Sequence, residues 1–516
     1  MAQGSSGKDG IMSKAFLIAL DQGTTSSRAI VFTPQGRLSA SAAFEFTQHY
    51  PKPGWVEHEP QDLVDTTVRS LQEAVKKAGI TPDQIAAIGI TNQRETTLIW
   101  DRKTGQPIYN AIVWQCRRTA AIIERIKQDG LAALIKDRTG LLPDAYFSAS
   151  KIRWMLQETG TQLRAEAGEL CFGTVDSYLA WHLVKGRPHV TDATNAARTM
   201  LFNLKTQDWD EDLLRLFNIP RAMLPRIVNT AEHIGELDEH ILGAPVPVAA
   251  LAGDQHAALF GQGCFQTGDV KNTYGTGCFM LMNTGDTPVS NDKGLLSTMA
   301  WRIKDRPVFA LEGSVFVGGA AVQWLRDELG IITSAAQSEA LASQVADTNG
   351  VYFVPAFTGL GAPHWDMYAR GTLVGISRGA KAAHIARAAL ESIAYQSNDL
   401  LSLMTDCLGH APDALRVDGG ATANDLLMQM QADISGIKVL RPQVVETTAL
   451  GAALLAGIGV GMFENEQAAA SNWQLEKEFS PNWDLLTRQN RKRCWNNAVK
   501  TALFEAKLRK ESEACS

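Results

Sequence analysis

Two glycine–threonine turns, at Gly23 and Gly275, lie 252 residues apart and constrain the fold of this 516-residue chain more than any other feature. The first sits in Asp21-Gln-Gly-Thr-Thr-Ser-Ser-Arg28, between the apolar runs 16–20 and 29–32, and reads as a β-hairpin. The second, Gly275-Thr-Gly277, separates Asp269-Val-Lys-Asn-Thr-Tyr274 from Cys278-Phe-Met-Leu-Met282 in the same manner. Each half also ends in a helix of small residues, at 254–261 and 450–457. The two share an Ala-Ala-Leu core followed by glycine, which suits close approach of helix backbones. These pairs predict duplication of one α/β unit with the ligand between the copies. Coincidence of two turns in a long chain is the alternative.

Between these landmarks the pattern is mixed α/β. Residues 63–78 read as an amphipathic helix, followed by the Thr81-Pro-Asp turn and a buried strand over 85–90. A longer helix is expected over 384–408, with Ile385, Leu390, Ile393, Leu400 and Leu401 on its apolar side. A final helix over 484–510 would turn Leu486, Trp495, Val499 and Leu503 inward, leaving Arg488, Arg491, Lys492 and Arg493 as a solvated face. The expected divisions are a disordered leader (1–13), an N-terminal domain (14–262), a C-terminal domain (263–465) and a helical tail packed on the body (466–516).

Composition narrows the function classes. The net charge of −6 gives no electrostatic case for nucleic acid or an anionic membrane surface. Seven scattered cysteines contain no Cys-x-x-Cys pair, and the ten histidines no His-Glu-x-x-His. Neither a zinc knuckle nor a redox dithiol is expected, and scattered thiols fit a reducing compartment, the cytoplasm. The apolar run 15–20 is too short for a signal core. The stretch 449–463 carries four glycines and falls short of the roughly 20 residues of a membrane helix. No membrane insertion is expected.

Several short strings carry possible chemistry. In the octapeptide at 21–28, Gly23 lets backbone amides approach an anion, hydroxyls flank it, and Arg28 adds a positive charge. Asp21 at a strand end suits Mg²⁺ held through water; a tight polar hairpin is the competing reading. Leu415-Arg-Val-Asp-Gly-Gly-Ala-Thr-Ala-Asn424 runs a strand into a helix, so that an adenine could lie on Gly419 and Gly420 with Asn424 facing it. The same string suits a glycine turn whose Asn caps a helix. Arg94 and Glu95 offer donors and acceptors for vicinal hydroxyls, or form an ordinary surface charge pair. Asp254, before Gln255 at another strand end, could take a proton from a hydroxyl attacking phosphorus, or cap a helix. Trp114, Tyr146 and Phe279 are candidate walls around a small polyol, or core. No Gly-x-x-x-x-Gly-Lys-Ser/Thr occurs, so a nucleotide site here is not a P-loop.

Together with Gly54-Trp-Val-Glu-His58, Ile88-Gly-Ile-Thr-Asn-Gln-Arg-Glu-Thr-Thr97, Tyr109-Asn-Ala-Ile-Val-Trp-Gln-Cys-Arg-Arg-Thr119, Asn272-Thr-Tyr-Gly-Thr-Gly-Cys-Phe279 and Phe357-Thr-Gly-Leu-Gly-Ala-Pro363, these strings resemble the FGGY carbohydrate kinase family over about residues 14–505. Gln-Arg-Glu-Thr-Thr and Val-Trp-Gln-Cys-Arg-Arg point to its glycerol-phosphorylating members. The resemblance implies two actin-like (RNase H-like) ATPase domains with an interdomain catalytic cleft. It implies transfer of the ATP γ-phosphoryl group to glycerol, giving sn-glycerol 3-phosphate and ADP, with Mg²⁺. Arg94, Glu95, Tyr146, Asp254 and Gln255 match its glycerol set, and Trp114 and Phe279 its aromatic wall. Asp254 matches its base and Asp21 its magnesium-associated carboxylate. Thr24, Thr25, Ser26 and Arg28 match the first phosphate loop, and Thr276 the second. Gly319, Gln323, Gly420 and Asn424 match the adenosine side. A homodimer or homotetramer is implied as well.

Some departures from the family pattern bear on regulation. After Glu236 the chain lacks the longer Gly-rich, Arg-bearing loop of members inhibited by fructose 1,6-bisphosphate, so that inhibition is not expected. His256 and His364 stand where Gln and Tyr are usual, which could alter coupling and pH response. The competing functions are a kinase for dihydroxyacetone or a pentulose, a nucleotide-gated binding module, and a degenerate kinase without turnover.

Overall fold

The computed structural model describes residues 16–471 and 473–513; the expected leader lies outside them. The first sheet is built from β1 (Phe16–Gln22), β2 (Ser26–Phe32), β3 (Leu38–Glu45), β4 (Ile85–Asn92), β5 (Gly235–Glu236) and β6 (Pro247–Gly253), in the order β5-β6-β4-β1-β2-β3. Helix α1 (Pro60–Ala78) covers it, opening on Pro60 and closing on Gly79 in the left-handed region. The second sheet takes β7 (Val270–Tyr274), β8 (Cys278–Gly285), β9 (Leu296–Ile303), β10 (Arg306–Val315), β11 (Ala414–Asp418), β12 (Lys438–Pro442) and β13 (Leu475–Phe479), in the order β9-β10-β8-β7-β11-β12-β13.

The expected duplication is present as topology. In each sheet three strands pair antiparallel, β1-β2-β3 and β7-β8-β10, and two more add in parallel beside the first of them, β4 then β6 and β11 then β12. Both expected hairpins form, with Asp21 opposite Arg28 and Tyr274 opposite Cys278. Each last parallel strand leads into a small-residue helix, α2 (Asp254–Gly261) after β6 and α6 (Thr447–Gly459) after β12. The others named here are α3 (Gly319–Asp327), α4 (Ala382–Leu408), α5 (Asp425–Ser435) and α7 (Leu485–Glu513).

Helices α2 and α6 pack on each other, and α6 lies against β1, β4 and β6 of the opposite half. The reason is steric. A Cβ on Gly451 would sit 1.8 Å from the Ala257 carbonyl oxygen, and one on Gly261 would sit 2.1 Å from that of Thr447. Only glycine at both positions lets the backbones meet so closely. The two halves are thereby joined along their smallest side chains, and the strand ends that precede these helices open into one cleft.

Between β4 and β5 a long insertion folds around its own core, including Ile99, Phe147, Met155, Phe172 and Phe202. That core also takes in Leu296, Met299 and Phe309 from β9 and β10, so the second sheet contributes side chains to the first half's side of the cleft.

At the C-terminus the sequence reading needs three corrections. Leu486 is 68% exposed, because the first turn of α7 runs beyond the body, whereas Trp495 and Val499 are buried as expected. Arg488, Arg491 and Lys492 are half-buried, with Arg491 over the Trp483 ring and Lys492 beside Asp399. The expected helical tail also supplies β13, the edge strand pairing with β12.

Candidate active site

One side of the cleft, a cluster of buried charges, forms where β4 and β6 end. Arg94 and Glu95 follow β4, and both are buried rather than forming a surface pair. They do not pair with each other, since adjacent side chains diverge. Glu95 is held at φ 62°, a left-handed conformation that costs a non-glycine residue about 1–3 kcal/mol and is kept mostly at functional sites. Arg94 Nε lies 3.0 Å from Asp254 Oδ1, and its Nη1 lies 2.5 Å from Glu312 Oε2. Glu95 Oε1 accepts from Arg198 Nε at 2.6 Å, and Arg198 Nη2 donates to Glu312 Oε1 at 3.0 Å. Signs therefore alternate through Glu95, Arg198, Glu312, Arg94 and Asp254.

Asp254 is the first residue of α2, and the cap position belongs to Gly253. Its Oδ1 accepts from the Gln255 amide at 2.7 Å, and 32% of its side chain is exposed. A Cβ on Gly253 would meet Arg94 Cγ and Cδ at 2.8 Å, so the glycine is what lets Arg94 reach Asp254. Burial raises the Asp254 pKa while Arg94 opposes it, and the charge of Asp21 adds to the cost of ionisation. Such a carboxylate is a better proton acceptor than a free one. Burial works against the charge of Glu312, but Arg198 and Arg94 outweigh it and hold its carboxyl at about 2.

Gln255 Oε1 accepts from Lys271 Nζ at 2.5 Å, and that ammonium also donates to Thr273 Oγ1 at 2.8 Å and to the Phe279 carbonyl at 3.4 Å. One lysine thus joins Gln255 of the first half to Phe279 of the second. Trp114 and Tyr146 meet edge-on with centroids 5.6 Å apart. His256, next in α2, is buried, and burial together with Arg94 lowers its pKa well below the usual histidine range. It stays neutral, so the pH response contemplated for it has no charge change near neutrality to act through.

The turn at Gly23 is tied to this group of side chains. Gly23 N donates to Ser26 O at 2.9 Å, closing the hairpin. Gln93 Nε2 donates to Gln22 Oε1 and Gly23 O, each at 3.1 Å, and Trp114 Nε1 donates to Thr24 Oγ1 at 3.0 Å. In that bond the Thr24 hydroxyl is the acceptor, so its own proton is not used there. Thr25 is exposed and Ser26 half-buried. Arg28 Nη2 bridges Asp21 Oδ2 at 2.9 Å and Glu446 Oε2 at 2.8 Å. Glu446 lies just before α6, so Arg28 is held from both halves. Burial raises the Asp21 pKa against the pull of Arg28.

Across the cleft, Thr276 stands exposed at its turn. The turn is fixed to the start of α3: Gly318 N donates to Thr276 O and Gly319 N to Gly275 O, each at 2.8 Å. Gln323 is exposed on α3. Asn424 caps α5, accepting from Leu427 N at 2.8 Å, and its amide reaches Ser338 Oγ at 3.4 Å. A Cβ on Gly420 would meet nothing within 4 Å, leaving an open shelf.

Sequence reasoning missed Arg198, Lys271, Glu312 and Glu446. For Glu312 the available signal was a charge inside an apolar strand, directly after Phe309-Ala-Leu311; Lys271, in Val270-Lys-Asn-Thr-Tyr274, offered no such contrast.

The FGGY family of carbohydrate kinases matches this chain with its N-terminal domain at residues 16–261 and its C-terminal domain at 270–460. The glycerol kinase of Alkaliphilus metalliredigens is 55% identical over 492 residues, covering 95% of this chain and 98% of that protein. Glycerol kinase 2 of Thermotoga maritima is 54% identical over 489 residues, covering 95% and 99%. Among solved structures, Plasmodium falciparum glycerol kinase with ADP superposes with a TM-score of 0.89 at 34% identity, over 95% of this chain and 98% of that one. A xylulose kinase from Lactobacillus acidophilus, at 24% identity and a TM-score of 0.85 over 95% and 98%, shares the fold.

Proposed function

This chain belongs to the FGGY family of carbohydrate kinases, and we propose that its cleft transfers the γ-phosphoryl group of ATP to a terminal hydroxyl of glycerol, releasing ADP. Relatives sharing more than half their residues along nearly the whole chain carry that activity in their names, and the two domains have the actin-like ATPase architecture. The observation that carries the reading is the meeting of Arg94, Glu95 and Asp254 at two adjacent strand ends, with Arg94 3.0 Å from Asp254. A nucleotide-gated binding module has no use for such a grip, and a degenerate kinase would not keep Asp254.

Arg94 and Glu95 are assigned to the glycerol hydroxyls, together with Tyr146 and Gln255, while Trp114 and Phe279 flank the carbon chain. The hydroxyl oxygen attacks the γ-phosphorus, its proton passes to the Asp254 carboxylate, and the bond to the β-phosphate bridging oxygen breaks as ADP departs. Thr24, Thr25, Ser26, Arg28 and Thr276 are assigned to the phosphates, and Gly319, Gln323, Gly420 and Asn424 to the adenosine.

Among the described residues no group of three or more His, Cys, Asp or Glu could hold a metal alone. Mg²⁺ binds through one or two carboxylates, waters and substrate phosphates and needs no such group. Asp21, whose charge already raises the cost of ionising Asp254, is the carboxylate for it, through water. Bound there, the cation supplies neutralisation of the phosphate oxygens.

The working units are assigned as 14–262 for acceptor and phosphates and 263–465 for adenosine, with 466–516 as the tail. The cytoplasm suits the six cysteines among the described residues, none of which forms a disulfide, and no helix among those residues is long and apolar enough to cross a membrane. Resemblance supports a homodimer or homotetramer. Asp254→Asn tests the mechanism: turnover is expected to fall about 10²- to 10⁴-fold with Mg·ADP affinity unchanged by calorimetry. Undiminished turnover would remove the base.

A further inference from the structure

Arg94 and Glu95 are short of freedom for a reason that lies outside either residue. Glu312 comes from β10 of the second sheet, and its side chain is 0% exposed. It takes Arg94 Nη1 at 2.5 Å and Nη2 at 3.2 Å on its two oxygens, the planar fork that fixes a guanidinium in orientation as well as distance. Its Oε1 also takes Arg198 Nη2, and Arg198 Nε in turn holds Glu95.

Arg198 is fully buried over the Phe147 and Tyr146 rings, at 5.3 and 5.9 Å from their centroids. Among the described residues its Nη1 finds no acceptor. An orphaned buried donor is costly, so the residue is held in place for its other two bonds. The segment leading to Arg198 is equally committed. Asn195 exchanges amide hydrogen bonds with Asn92 at the end of β4, at 3.0 and 3.1 Å. Thr194 Oγ1 accepts from Gly253 N at 2.9 Å, immediately before Asp254.

We infer that Arg198 and Glu312 are positioning residues for the phosphoryl acceptor: Glu312 fixes Arg94 and Arg198 fixes Glu95, so that contacts spanning both halves set one geometry for the groups that take the acceptor hydroxyls. The inference rests on the assignment of Arg94 and Glu95 to glycerol. Neither positioning residue touches the phosphate turns, so their loss acts on the acceptor and spares the nucleotide.

The test compares Arg198→Lys, which keeps the charge and loses the fork, with Glu312→Asp, which withdraws the carboxylate by one methylene. Each is expected to raise the KM for glycerol about tenfold or more, with the KM for ATP and the Mg·ADP affinity within about twofold of the parent. Combining Arg198→Lys with Glu95→Gln should cost less than the product of the single effects, because the two residues act as a unit. Unchanged glycerol KM, a parallel rise in both KM values, multiplicative effects, or loss of folding in both variants would each overturn the inference. Arg94→Lys and Glu95→Gln are measured alongside. If they leave glycerol KM unchanged, the acceptor assignment itself fails; if they raise it while Arg198→Lys and Glu312→Asp do not, only the positioning role fails.

Discussion

Replacing Gly451 with alanine puts a methyl group 1.8 Å from the carbonyl oxygen of Ala257, 2.7 Å from its carbonyl carbon and 2.9 Å from the Gly261 amide nitrogen. Every obstructing atom is backbone, so no rotamer change relieves the clash. Helices α2 and α6 must part by roughly 1 Å, which forfeits much of the dispersion along their contact. Overpacking a tight core costs about 1–3 kcal/mol, and backbone displacement puts this site at or above the upper end. For a unit of about 150–250 residues, 3 kcal/mol corresponds to roughly 6–12 °C. The assay is thermal unfolding at one fixed scan rate, with Gly420→Ala as the control. At Gly420 a Cβ meets nothing within 4 Å, so that variant should melt with the parent and lose only nucleotide affinity. Gly451→Ala should melt at least about 5 °C lower. Equal melting of Gly451→Ala and the parent would refute the close-packed helix pair as the joint between the halves.

Two further outcomes follow from ionic groups. Glu446→Gln frees Arg28 from its partner across the cleft, and since both side chains are about a third exposed, the gain in Mg·ATP affinity should be about two- to fivefold at low salt; weaker binding would show that Glu446 serves the nucleotide directly. Burial and the neighbouring Asp192 raise Asp176 to about 7, well above its unfolded value. The folded state thus binds that proton more tightly, and stability falls as pH rises from about 4 towards 7. Asp176→Asn should flatten that slope in denaturant titrations across the same interval, and an unaltered slope would contradict the buried acid.

What the sequence made legible was local. The hairpin at Gly23 stood out because a short polar turn separates two apolar runs, and the α2–α6 pair because glycine and alanine recur at matching places. Asp254 was visible as a carboxylate ending an apolar strand, though its rival reading as a cap was settled only by Gly253 taking that position. The ion network was not legible, since Arg94 and Glu312 are 218 residues apart and on different sheets. No local period encodes such a pairing; it depends on the insertion's core closing over β9 and β10. Likewise β13, exposed except at Phe479, lacks the alternation that marks a half-buried strand, and Leu486 keeps a helical period past the point where there is anything to pack against.

The proposed acceptor chemistry is tested most directly by ADP release from Mg·ATP with glycerol, dihydroxyacetone, xylulose, gluconate or no acceptor. Strong stimulation by glycerol, with the phosphate on a terminal carbon, is the expected result. A preference for a ketose or sugar would contradict the role given to Arg94 and Glu95, and slow release indifferent to every acceptor would contradict the kinase itself.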